Sequence, residues 1–182
     1  MRTMIHPDED SVYGYFDFKA QEPNVMAALS QDKNMLAAVD SPDPYLYVAK
    51  FVKAVPEYAT KKSHPVERER YKVSYLAIAY DQTPYGLSAK LGVSLAKATF
   101  IHSNILNAFK DYKFWIKGVK VNAGRRGFFE TKYGWKYHLN DESKVNPKRL
   151  SNYPIQANGG EVLRMAMIDV MEGGFDKNLS MI

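Results

Sequence analysis

Apolar residues along this chain recur mainly at helical spacing, and short polar or proline-bearing breaks divide them into separate elements. SVYGYFDF departs from that pattern. Its aromatic and small residues alternate, which predicts a strand ending near Phe18. Pro23 suits the first turn of a helix that NVMAALS continues. KNMLAAV predicts a second short helix closed by the turn-forming DSPDP, and PYLYVAKFVKAV a third ended by Pro56. A loop then leads into a helix of about four turns that includes ERERYKVSYLAIAY. Thr83 is the expected N-cap and Gly92 the stop of the next helix. Ser94 caps another, in which Leu95, Ala98, Ile101, Ile105 and Phe109 form an apolar face. DYKFWIKGVKVNAG extends the helical tendency, and RGFFETKYGWKYHL predicts a hairpin around Tyr133-Gly134. NPKRLSNYPIQANGGEVLRMAMIDVM closes the pattern as a helix interrupted by Gly159-Gly160. The expected fold is α+β and mostly helical, without repeats or low-complexity segments.

Composition narrows the class. With 182 residues and 46% hydrophobic content, the chain suits one domain or two small lobes. Charged residues at 25% and aromatics at 13% exclude a disordered composition. No apolar run approaches the roughly 18 residues of a membrane span, and no secretory segment follows Met1, so a soluble intracellular protein is expected. The lack of cysteine excludes disulfides and thiolate metal sites. Charge is uneven: residues 1–60 carry a net −4 and residues 61–182 a net +9. An acidic front and a basic rear suit a protein that holds divalent cations at one end and phosphates elsewhere, although ordinary surface variation gives the same tally.

Two stretches carry candidate chemistry. Arg68, Lys72, Leu76 and Tyr80 recur every four residues and form one stripe on a helix. Two cations and a ring in line suit a triphosphate, a sugar and a base, and equally a solvated basic face with a half-buried tyrosine. Asp17, at the end of the aromatic run, is either a cap or a metal ligand. KDYKFWIKGVKVNAGRR interleaves cations with Tyr112, Phe114 and Trp115; the aromatics are expected in the core, and nucleic-acid contact is the alternative. His6, His64, His102 and His138 show no zinc-ligand spacing.

The stripe within RERYKVSYLAIAY resembles the fingers-helix motif of family A DNA polymerases: Arg, three residues, Lys, seven residues, Tyr. DFKAQEPNVMAALSQDKNMLAAVDSPDPYLYVAK resembles the first palm motif of that family and the helices after it. YGWKYHLN and LSNYPIQANGGEVLRMAMID resemble its later hairpin and long palm helix, in the phage-type form. The three matches keep their order across roughly residues 12–172. The resemblance implies a partial palm in 1–60, fingers in 61–126 and a return to an incomplete palm in 127–182. By the same resemblance Asp17 binds both catalytic Mg²⁺ ions, with the Phe18 carbonyl as a further ligand, and Glu22 crowds the sugar 2′ position. Arg68 and Lys72 hold the incoming deoxynucleoside triphosphate, Lys72 also serving catalysis, and Tyr80 lies beside the nascent base pair. Leu76 replaces the usual aromatic and implies altered discrimination at the sugar 3′ position. Asp81 stands where a glycine commonly follows the tyrosine, which puts a carboxylate near the template path. Asn152 and Gln156 match minor-groove contacts to the primer-template DNA. Lys148 replaces the usual arginine one turn earlier, with Arg149 as the adjacent candidate.

A family A polymerase also needs a second metal-binding carboxylate in a His-Asp strand, and the sequence holds no His-Asp pair. One carboxylate does not fix two Mg²⁺ ions. Glu161 and Asp169 are expected on the surface rather than as substitutes. The expectation is therefore part of a template-directed DNA polymerase, inactive alone and completed by a second chain with the thumb and the His-Asp motif. The alternatives are a non-catalytic nucleic-acid or nucleotide-binding remnant and a truncated product without function.

Overall fold

The computed structural model of the protein describes Gly14, residues 16–139 and residues 147–175, without the side chains of Pro147, Lys148, Gly174 and Phe175. The fold is mostly helical, as the periodicity predicts. In chain order, α1 (Gln21–Ser30), α2 (Lys33–Asp40) and α3 (Pro44–Phe51) precede the central α4 (Pro65–Ala79). Then come α5 (Pro84–Leu91), α6 (Leu95–Ala108) and α7 (Lys110–Arg126). The hairpin β1 (Phe128–Glu130) and β2 (Lys136–His138) leads to α8 (Pro147–Val170) and a π-helical turn, Met171–Phe175.

Local chemistry explains most boundaries. Asp32, Asp43, Thr83 and Ser94 each cap a helix by accepting backbone N–H bonds, and Pro44, Pro65 and Pro84 open helices where no donor is lost. Gly92 ends α5 at φ +62°. In the hairpin, Phe129 lies opposite Tyr137, and Gly134 takes φ +91° in the turn. A stack of Trp135 and Tyr137 on Tyr153 seats the hairpin on α8, the two tyrosine rings 4.0 Å apart.

The core gathers around α4. Its buried face sends Tyr75 between Tyr45 of α3 and Phe109 at the α6–α7 junction, both edge-on, with ring centroids at 6.0 and 5.2 Å. Met26, Met35, Val48, Ile105, Tyr112 and Ile155 complete the same cluster. Burial holds the hydroxyls of Tyr75 and Tyr112 far above the usual tyrosine pKa.

Five expectations need correction. Phe16–Phe18, with Asp17, form no strand; residues 11–13 and 15 of that stretch lie outside the described residues. The strand pair among the described residues is β1–β2, so Phe16–Phe18 have no ladder partner there. Helix α3 stops at Phe51, ahead of Pro56, where Lys53 turns to φ +58°. Helix α8 runs unbroken through Gly159 and Gly160 and also contains Pro154. Gly159 lies where α1 crosses, and its carbonyl accepts a bond from Gln21 Nε2 at 3.0 Å. Phe114, expected in the core, is exposed because α7 turns that side outward, and Leu95, at the first residue of α6, is exposed although Ala98, Ile101 and Ile105 of the same apolar face are buried. Glu161, expected on the surface, is half-buried, and its Oε2 has no hydrogen-bond partner among the described residues. No helix among the described residues is long and apolar enough to cross a membrane.

Candidate active site

Helix α4 carries the stripe that the periodicity defines. Arg68 to Tyr80 is twelve residues, about 18 Å along one face. At its N-terminal end Arg68 Nε donates to Asp43 Oδ2 at 2.7 Å, and the guanidinium lies 5.2 Å from the centre of the Tyr45 ring. The other oxygen of Asp43 caps α3, accepting the N–H of Tyr45 at 3.1 Å and of Leu46 at 3.2 Å. One carboxylate therefore fixes a helix start and a cation together. Burial opposes its ionisation, but the Arg68 bond and the two backbone donors outweigh it and hold the Asp43 pKa below the usual value. Lys72, one turn on, lies 3.5 Å from Glu69.

At the other end, residues from three separate motifs meet. Gln156 Nε2 of α8 donates to the Tyr80 hydroxyl at 3.2 Å. That hydroxyl donates to Glu22 Oε1 of α1 at 3.5 Å, the outer limit of such a bond. Glu22 stands in the first turn of α1, where a negative charge is favourable. The Tyr80 ring stays partly exposed, at 38% of its surface. Asp81, just past α4, adopts φ +51° and pairs with Lys120 of α7 at 2.9 Å. The resemblance expects glycine at this position. The left-handed turn is the physical reason, since Gly enters it freely and Asp more readily than most residues. Next to it, His102 hydrogen-bonds the Gln82 carbonyl at 3.1 Å, and burial lowers its pKa against the effect of that bond.

The remaining predicted residues are spread around this group. Asp17 and Phe18 are exposed in the segment leading to α1. Leu76 is half-buried, one turn before Tyr80. Asn152 and Arg149 lie one and two turns before Gln156, and the structure joins neither to the Glu22–Tyr80–Gln156 chain. The Lys148 side chain lies outside the described residues. The described residues bring no three His, Cys, Asp or Glu side chains together in a group suited to a metal ion.

Three supporting residues escape sequence reasoning. Asp43 signals its cap through the following proline but not its grip on Arg68. Asn158 of α8 accepts the Lys132 N–H at 3.0 Å and so ties the hairpin turn to that helix. Buried Asp32 caps α2 through Oδ1, while Oδ2 accepts the N–H of Asp111 and of Tyr112 at 3.0 and 3.1 Å. Its place before KNMLAAV marks the first role; the second spans 79 residues and leaves no mark in the sequence.

The family model of DNA polymerase family A matches residues 1–181. The chain belongs to DNA polymerase family A. Among its curated relatives, the thermostable DNA polymerase I of Thermus aquaticus is 24% identical over 160 residues, 84% of this chain and 19% of its own length. The DNA polymerase I of Aquifex aeolicus is 28% identical, covering 98% of this chain and 30% of its own. The POL domain of Pol1 from M. smegmatis, in complex with DNA primer-template and dNTP, aligns with TM-score 0.77 and 26% identity, over 90% of this chain and 30% of its own. This family A chain thus spans less than a third of each.

Proposed function

We propose that this chain is the fingers and part of the palm of a template-directed DNA polymerase, binding primer-template DNA and a deoxynucleoside triphosphate. The observation that carries the reading is the hydrogen-bonded chain Glu22–Tyr80–Gln156, which unites the first palm motif, the fingers helix and the long palm helix at one point. Residues 1–60 act as partial palm, 61–126 as fingers and 127–182 as the return to the palm. Tyr80, fixed by its hydroxyl with part of its ring open, stacks beside the nascent base pair. Glu22, anchored to that hydroxyl, occupies the space that a ribose 2′ oxygen would need. Leu76 borders the sugar between them, while Arg68 and Lys72 neutralise the triphosphate, Lys72 also stabilising charge that develops in the transition state. Asn152, Gln156, Lys148 and Arg149 follow the DNA along α8.

Mg²⁺, when bound, polarises the phosphoryl oxygens and stabilises the attacking and leaving groups. Asp17 and the Phe18 carbonyl offer hard oxygen ligands, but the described residues do not make a complete two-ion site. In our reading the further carboxylate comes from a second polymerase chain with the thumb and a His-Asp strand. The second half of α8 offers it a surface, exposing Leu163, Met165, Met167, Ile168 and Val170. The test is primer extension with Mg²⁺, by this chain alone and with such a polypeptide added, using Asp17→Ala as the blank. We expect extension in the completed mixture and none with Asp17→Ala; equal extension by the two would overturn the role of Asp17.

A further inference from the structure

We propose that the outer face of α7 is a binding stripe for single-stranded DNA, in which the Phe114 ring stacks on a base and Lys110, Lys117 and Arg125 follow the phosphates. The stripe shares no residue with the Glu22–Tyr80–Gln156 chain or with the α8 residues assigned to DNA, so the inference goes beyond the polymerase reading. Helix α7 packs on the core through Tyr112 and Ala123, both buried, with Trp115, Ile116 and Val119 half-buried at the flanks. Lys110, Phe114, Lys117, Val121 and Arg125 lie on the opposite side, all exposed and all within about 60° of Phe114 around the helix axis. From Lys110 to Arg125 the stripe runs about 22 Å. Phe114 keeps 81% of its surface open, and exposed Lys113 extends the positive charge along one edge.

A single exposed ring is common at protein surfaces. Here ring and charge coincide. Lys110 and Lys117 stand about one turn to either side of Phe114, so a base laid on the ring leaves its flanking phosphates beside an ammonium group. Helix α7 carries six Lys and Arg residues and a single acid, Asp111, which stands in the first turn where the helix N-terminus favours it. The ion pairs of α7 among the described residues belong to Lys120, which turns to Asp81, and Arg126, which turns to Glu130. The cations of the stripe therefore keep their charge for a polyanion. Gly118, one turn beyond Phe114, is bare: a Cβ there would meet nothing within 4 Å, so packing within the protein does not require glycine. Glycine is costly inside a helix, and what it allows beside the ring is close approach of a ligand to the backbone. A duplex hides the faces of its bases, so a stacking ring selects a single strand. An acidic protein segment matches the charge but leaves the ring without a base to stack on, and membership of a DNA polymerase family selects DNA as the strand.

The test is fluorescence anisotropy of the whole chain with labelled oligothymidylate, an abasic strand of the same length and polyglutamate, at several salt concentrations. Wild type, Phe114→Ala, Phe114→Trp, Lys117→Ala and a control at the end of α5, Lys90→Ala, are compared. All three positions are exposed, so these changes leave the fold intact. We expect Phe114→Ala to weaken oligothymidylate roughly tenfold and Phe114→Trp to keep its affinity. Abasic-strand binding should not respond to Phe114→Ala. Lys117→Ala should lower the log–log salt slope by about 0.7, the share of one phosphate on a single strand, and Lys90→Ala should leave it unchanged. Equal oligothymidylate affinity in wild type and Phe114→Ala would overturn the proposal, as would no binding of oligothymidylate at all or a slope that falls as far in Lys90→Ala as in Lys117→Ala. Polyglutamate binding that drops with Phe114→Ala as steeply as oligothymidylate binding would refute the DNA stripe and give the face to an acidic protein partner.

Discussion

Asp43 shows how one side chain can settle two positions. Its carboxylate starts α3 and grips Arg68, and the folded protein holds its pKa below the 3.8 of a free aspartate. The unfolded chain therefore binds more protons in that acid range, so stability rises with pH there. The contribution of Asp43 is present above 3.8 and fades as pH falls through the folded value. In Arg68→Ala the burial remains while the ion pair goes, and the Asp43 midpoint should move upward. Carbon-13 NMR of the Asp43 carboxyl measures this directly, and an unchanged midpoint would show that Arg68 does not hold the charge. Legibility divides sharply at this scale. The period of four along ERERYKVSYLAIAY places Arg68, Lys72, Leu76 and Tyr80 on one face because helical spacing is a local property. The Asp43–Arg68 and Tyr80–Gln156 contacts cross 25 and 76 residues and exist only once the chain has packed. The sequence names Asp43 as a turn residue and leaves its cation unnamed.

Elements were legible where their ends carry their own chemistry. Thr83, Ser94 and Gly92 sit at the boundaries they predict, because caps and left-handed stops are set by neighbouring residues. The failures share a cause. The strand at Asp17 requires a partner, the break at Gly159-Gly160 is overridden by packing of α1 on α8, and the inward face of α7 depends on what surrounds it. Asp32 is the strongest case of an element fixed from a distance, since its two oxygens cap α2 and α7 from within the core. Removing it orphans four backbone donors in a largely buried place, whereas Thr83→Ala removes one exposed cap bond. We expect Asp32→Ala to cost about 3 kcal/mol or more, against about 1 kcal/mol for Thr83→Ala. Urea denaturation of both variants gives the comparison, and equal losses would mean that the α7 cap contributes nothing.

For the molecule as a whole, the order of three motifs pointed to the family before any contact between them was known. Motif order is inherited with the chain, while their meeting at Tyr80 follows from the packing of α1, α4 and α8. Charge behaves in the opposite way. The net +9 of residues 61–182 suggests a polyanion partner, yet the total does not say which cations touch it. Some are already matched within the protein: Lys120 by Asp81, Arg126 by Glu130 and Lys72 by Glu69. Arg149 is exposed on α8, two turns before Gln156, on the helix that we propose follows the DNA. Each phosphate neutralised releases condensed counterions, so primer-template affinity should fall steeply with salt on a log–log plot. Arg149→Ala should lower that slope by about one, because one phosphate contact is lost. Lys90→Ala, at the end of α5 and outside the proposed interface, should leave the slope as it is. Fluorescence anisotropy with a labelled primer-template at several salt concentrations measures both. A slope equally reduced by the two changes would mean that DNA senses only the overall charge, and α8 would then lose its place as the DNA-tracking helix. A drop confined to Arg149→Ala would tie binding to the same helix that supplies Gln156 to Tyr80, and so to the end of the stripe that we propose lies beside the base pair.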